Sequence, residues 1–178
     1  MARAGHALAD QGRVWLVDVV EDEEALERAR ALGEPAAVLQ LLDRHNRDCA
    51  AVAKRFGVPH LVVPGALPDA PFEALTAVSV PKWREAALWW PEREALVVAE
   101  TLGTTEVFTA GRGEVGMHLM LRPFAPSALR GRRPRHLLVG HGDPLHGDGV
   151  AAEVDAAYHR ARRDLPRAIA AIPGALRG

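Results

Sequence analysis

The chain has 178 residues, 48% of them hydrophobic and 25% charged, which is the balance of a globular domain with room for one sizeable core and little more. A formal net charge of -1 excludes any global pull toward nucleic acid or an anionic membrane surface. The single cysteine, Cys49, excludes an internal disulfide. With no signal-like apolar stretch and no run as long as a membrane span, a soluble, cytoplasmic, single-domain protein over residues 1–178 is expected, making no membrane contact.

In chain order, residues 14–20 (VWLVDVV) read as a buried strand. Residues 21–32 read as a helix, acidic first and basic later, with Leu26, Ala29 and Leu32 available to one face and Gly33 and Pro35 as stop signals. Residues 36–42 (AAVLQLL) predict a second buried strand running into the polar knot DRHNRD at 43–48. A helix over 49–56 should end at Gly57, and 60–63 form a third strand.

Segments 72–80, 85–90 and 95–99 predict a strand-rich middle, the last two paired as a hairpin across PERE. Residues 112–121 read as a helix and 126–130 as a short turn or helix. Residues 136–139 (HLLV) predict a final strand, and a helical tail from about 150 should break at Pro166. The order βαβαβ, a β-rich middle and βα predicts an α/β domain.

Two polar clusters follow the C-terminal ends of expected buried strands: Asp43, Arg44, His45, Asn46, Arg47 and Asp48 after AAVLQLL, and GHGD at 140–143 after HLLV. Glu100 ends the strand ALVVA in the same way. Loops at strand ends are where α/β sheets aim ligand-binding groups.

On these residues the chain resembles the metallo-β-lactamase superfamily over roughly residues 13–145. VWLVDVV is similar to the family's early strand, and AAVLQLL-DRHNRD-CAAVAKRFGV to its strand, metal loop and helix. EAALWWPEREALVVAE resembles its hairpin, and HLLVGHGDP its last metal-bearing strand. The resemblance implies a four-layer αββα sandwich, here shortened at the N-terminus to at most one strand of the usual first sheet.

It also implies a dinuclear centre on an H-x-H-x-D-H loop, a mid-chain His, a bridging Asp and a last His. Asp43 stands at the first His, His45 keeps the second, Arg47 replaces the Asp and Asp48 the third His. The mid-chain His is absent, with Pro81, Lys82 and Trp83 in that neighbourhood; Glu100 replaces the bridging Asp and His141 matches.

Arginine keeps its charge at any relevant pH. At an effective dielectric of about 20, a guanidinium roughly 4 Å from a divalent ion repels it by about 8 kcal/mol. A two-metal hydrolase is therefore not expected. The expectation is an eroded, non-catalytic or repurposed site binding a small ligand or partner without a cofactor, in which Arg47 takes the cation's role by bridging Asp48 and Glu100. The alternative is a hydrolase holding one Zn, Fe or Mn ion on a subset of Asp43, His45, Asp48, Glu100 and His141.

Trp83, His118 and His146 are candidates to line a pocket beside that site. GRGEVG at 111–116 matches a dinucleotide fingerprint but lacks the surrounding βαβ unit, so it reads as a glycine-rich loop. Neither serine, Ser79 or Ser127, sits in a nucleophile elbow, and Cys49 reads as a small buried hydrophobe. The basic stretches at 130–136 and 159–163 read as solvated surface rather than nucleic-acid sites. The shortened sheet predicts an exposed edge able to form a homodimer.

Overall fold

A hairpin begins the first sheet: β1 (His6–Asp10) runs antiparallel to β2 (Arg13–Val17), with His6 opposite Val17 and Asp10 opposite Arg13. Gln11 and Gly12 join them at φ 45° and 77°, the pair of positive angles a two-residue type I′ connection requires. This strand was not foreseen, and it corrects the expectation of a first sheet reduced to one N-terminal strand. The computed structural model describes residues 3–45, 47–67 and 69–175; Asn46 of the polar knot and the chain ends of the expected 1–178 domain lie outside them.

Helix α1 (Glu23–Ala31) starts at Asp22, whose Oδ1 accepts the Ala25 N–H at 2.8 Å, satisfying one of the helix's orphan donors. Leu26 and Ala29 are buried, but Leu32 is 54% exposed and does not extend that face. Strand β3 (Glu34–Gln40) lies parallel to β2; helix α2 (Cys49–Phe56) ends at Gly57, φ 66°, and delivers β4 (His60–Val62) parallel to β3. The sheet order is β1-β2-β3-β4.

The second sheet contains β5 (Glu73–Val80), β6 (Trp83–Trp90), β7 (Ala95–Val98), β10 (His136–Val139) and β11 (Leu145–His146), in the order β11-β10-β7-β6-β5. The β6–β7 hairpin closes across PERE as expected, with Trp90 opposite Ala95, while β7 and β10 are parallel. Between them lie a two-stranded ladder of β8 (Leu102–Gly103) and β9 (Gly116–Met117) and the short helix α3 (Glu106–Thr109).

The helix expected at 112–121 is not formed: β9 and a 3-10 turn over Leu119–Phe124 occupy that stretch. A Cβ on Gly116 would lie 1.8 Å from the Phe108 carbonyl oxygen, so the backbone there is pressed against α3 in a way a side chain forbids. Helices α4 (Val150–Arg160) and α5 (Leu165–Ala175) form the tail. Pro166 does not interrupt a helix; it sits in the first turn of α5, where a missing N–H costs nothing.

Residues of alternate parity on the first sheet face opposite ways. Trp15, Val17 and Leu39 join Leu88, Leu96 and Val139 of the second sheet in one core. Val14, Leu16 and Val38 pack instead with Leu26 and Ala29 of α1 and Val52 of α2. The period of two places one face between the sheets and the other beneath helices, giving the expected α/β sandwich of αββα layers. Among the described residues no helix is long and apolar enough to cross a membrane.

Candidate metal centre

Four strands end at one place. Asp18 follows β2, His45 lies beyond β3, Glu100 beyond β7 and His141 beyond β10, so these side chains emerge from the carboxyl ends of parallel strands, where fixed backbones aim them together. Glu100 Oε1 lies 3.5 Å from His45 Nε2 and 3.5 Å from His141 Nε2. One donor atom from each of the three residues lies within 4.8 Å of the others.

Each partner is held from behind. Asp18 Oδ2 lies 3.4 Å from His45 Nδ1, and Asp18 Oδ1 accepts the Leu41 N–H at 3.1 Å. The His141 ring stacks on Phe108 with centroids 5.6 Å apart. Glu85, fully buried on β6, accepts the N–H groups of Ala99, Glu100 and Thr101 through Oε1. Gly140 lets the β7 and β10 ends converge: a Cβ there would stand 2.4 Å from the Ala99 carbonyl oxygen.

The electrostatics are those of a compressed cluster. Burial alone would push Glu100 up, but His141, His45 and Arg44 outweigh it and hold the carboxyl well below the usual carboxylate range. Burial opposes protonation of His45, yet Asp18 and Glu100 together raise it to about 8. Burial lowers His118.

The residues expected from sequence divide. Among the described residues His45, Glu100 and His141 are the only group of three or more His, Cys, Asp or Glu side chains arranged to hold a metal ion. Asp43 is turned away: its Oδ2 accepts from the Arg84 backbone N–H at 3.0 Å and lies 3.5 Å from Arg84 Nε. Asp48 stands at the start of α2 and accepts the Glu21 N–H at 2.9 Å.

Arg47 does not bridge Asp48 and Glu100. Its guanidinium donates to the carbonyls of Ala4 (2.7 Å), Asp18 (2.6 Å) and Gly140 (3.4 Å), because the loop turns it toward the converging strand ends. The arginine on Glu100 is Arg44, at 3.0 Å from Oε2 and 4.1 Å above the Trp83 ring.

Trp83 is buried beneath Arg44 and packs edge-on to His118, ring centroids 4.7 Å apart. The His118 Nδ1 accepts the Met120 N–H at 3.3 Å. His146 is not beside the site. It pairs with His136 at the opposite end of β10 from His141, since the chain folds back through β11.

Sequence reasoning passed over Asp18 and Arg44 as functional residues. An acidic residue closing an apolar strand was the available signal for Asp18. For Arg44 there was its place in the knot. Arg3, Arg44, His45, Arg47, Glu100 and His141 line a cavity of about 290 Å³, so three arginines and one carboxylate contribute to its wall.

The donor set suits a metal ion. Ligands of a tetrahedral zinc site, with bonds of about 2.0–2.1 Å, stand about 3.3–3.4 Å apart, close to the 3.5 Å separations from Glu100 Oε1 to both imidazoles. Both ring nitrogens of His141 and the Nδ1 of His45 are buried without a hydrogen-bond partner. Leaving such groups unpaired is costly, and two imidazoles with one carboxylate are a recognised ligand set.

No family model matches this sequence, and no curated protein does. Solved structures do. The DIM-1 metallo-β-lactamase superposes with a TM-score of 0.59 at 16% identity, covering 89% of this chain and 86% of that one. A metallo-β-lactamase from Pontibacter korlensis gives 0.58 at 11% identity over 88% and 87%. One from Erythrobacter litoralis gives 0.58 at 11% identity over 90% and 81%.

Proposed function

We propose that this chain, which has the metallo-β-lactamase fold, holds one divalent metal ion between His45, Glu100 and His141 and hydrolyses a small anionic substrate there. The observation that carries this reading is the His141 imidazole, buried with both nitrogens unpartnered and Nε2 3.5 Å from Glu100. An ion would satisfy that nitrogen where no protein group does.

A divalent ion in this set supplies Lewis-acid chemistry. The remaining work belongs to the chain. The Asp18 carboxylate faces His45 Nδ1 at 3.4 Å, which favours the proton on that nitrogen and turns Nε2 toward Glu100. Phe108 fixes the plane of His141. Arg44 neutralises Glu100 Oε2 and leaves Oε1 toward the imidazoles. Arg3, Arg44 and Arg47 outnumber the single carboxylate lining the cavity, so an anionic group on the substrate is attracted and oriented.

One ion is favoured over two because, among the described residues, no second group of three or more donors stands beside this one, and Arg47 brings a permanent charge into the same cavity. The test is elemental analysis of protein purified without chelator. One equivalent of zinc, iron or manganese, lost in His45→Ala and in His141→Ala, with metal-dependent hydrolysis of a chromogenic carboxylate-bearing lactam or phosphodiester, supports the reading. Metal content unchanged by both substitutions overturns it.

A second reading rests on the same arginines. Arg44 already engages Glu100 at 3.0 Å and competes with a cation for it, so the cavity serves as a metal-free anion-binding cleft without catalysis. Anion-dependent quenching of Trp83 fluorescence in chelator-treated protein, with no metal bound at equilibrium, distinguishes this case.

A further inference from the structure

We propose that His136 and His146 form a separate binding site for a late first-row divalent cation, with the geometry suited to Cu2+ or Ni2+. The two residues are direct partners across the antiparallel β10–β11 pair, so their side chains leave the same face of the sheet. Their Nδ1 atoms stand 2.9 Å apart, with the rings tilted by 58° and centroids separated by 5.1 Å. Two nitrogens bound cis at right angles, with bonds of about 2.0–2.1 Å, stand about 2.9 Å apart, whereas a tetrahedral ion spreads them to about 3.3–3.4 Å. The spacing therefore matches square-planar or octahedral coordination, the preference of Cu2+ and Ni2+, with the remaining positions open to water.

The surroundings favour a cation. Arg135 is the adjacent positive charge, but Asp148 holds it at 2.8 Å and Glu94 at 4.0 Å, leaving one excess negative charge among the three. The Glu94 carbonyl also accepts the His136 N–H at 3.1 Å, and the Arg135 carbonyl accepts the Gly147 N–H at 2.7 Å, so both backbones are fixed where the imidazoles meet. This pair and His141 lie at opposite ends of β10. At about 3.3 Å per residue the separation along the chain from His136 to His141 is roughly 16 Å, so this is not a second half of the first centre. An ion here would clamp the stem of the hairpin whose loop carries His141.

The competing state is a pair that shares one proton in an N–H···N hydrogen bond and binds nothing. The full chain carrying His45→Ala and His141→Ala leaves this site intact and is titrated with Cu2+ and with Ni2+. Expected is one equivalent of Cu2+ with a two-nitrogen signature in electron paramagnetic resonance, weakened at least about ten-fold by either His136→Asn or His146→Asn. Affinity unchanged by both substitutions overturns the proposal. Should a substitution unfold β11, the chain carrying only His45→Ala and His141→Ala decides. In it, substoichiometric Cu2+ must broaden the ring resonances of His136 and His146 before those of His60 or His159, and the reverse order overturns it.

Discussion

Glu85 Oε1 accepts the Glu100 backbone N–H at 3.0 Å, with those of Ala99 and Thr101 on either side at 3.1 and 2.9 Å. One fully buried carboxyl thus fixes the turn that presents Glu100. Burial raises the Glu85 proton affinity. A group raised above its unfolded value favours the fold most below that value, and the benefit is lost as pH rises through its folded value.

Glu85→Gln retains the acceptor and removes the charge, so it should match or exceed the parent in stability at pH 7. Glu85→Ala leaves three N–H groups unpaired, two of them buried, and should cost about 3 kcal/mol or more. Urea unfolding of both variants at pH 5 and 7 checks the order, and a Gln variant less stable than the Ala variant contradicts this account.

Asp18→Asn should keep the fold. Asp18 has φ 46°, a conformation Asn tolerates, and Asn Oδ1 can still accept the Leu41 N–H. The neutral amide cannot present a charge to His45 Nδ1 as the carboxylate does at 3.4 Å, so metal affinity should fall about 10–100-fold. Competition against a chromogenic chelator measures this, with unaltered thermal unfolding of the metal-free variant as the control.

Arg47→Ala should destabilise by about 2–4 kcal/mol, since it strips donors from the Ala4, Asp18 and Gly140 carbonyls. Arg47→Lys keeps the charge without the planar fork and should recover less than half of the loss. Equal stability of the Lys variant and the parent would show that charge alone matters there.

Gly140→Ala places a methyl group against the Ala99 carbonyl. The β7 and β10 ends must separate, carrying Glu100 from His141. The expected outcome is a loss of about 1–3 kcal/mol together with weaker metal binding, read by calorimetry on the same preparation.

Burial raises the Cys49 thiol to about 11 from an ordinary 9.0. Because the folded value is the higher one, its contribution is complete below about pH 9 and declines as pH passes through about 11, a loss of about 2–3 kcal/mol. The stability difference between the parent and Cys49→Ala should narrow across that window. In the folded protein at pH 8 the thiol should resist a disulfide reagent; rapid labelling without unfolding would contradict its burial.

The local signals in the chain were enough to place β3, α2, β10 and the β6–β7 hairpin, because apolar runs, Gly57 and PERE act over a few residues. They also placed His45, Glu100 and His141 at strand ends, since a buried strand running into polar residues is visible without partners. Helix α1 was legible too, but not which of its apolar residues would be covered. Strand β1 escaped because its alternation is weak and only pairing with β2 makes it a strand. The expected helix at 112–121 failed because the close approach of Gly116 to Phe108 is a long-range contact.

What only the tertiary structure decided is direction. Neighbours in sequence, Asp43 through Asp48, leave the same loop toward different partners: His45 to Glu100, Arg44 to Glu100 and Trp83, Arg47 to three carbonyls, Asp43 to Arg84 and Asp48 to Glu21. Residue identity supplies charge and donor atoms. The convergence of β2, β3, β7 and β10 decides which of those atoms meet, and that depends on chain segments up to 123 residues apart, the span from Asp18 to His141.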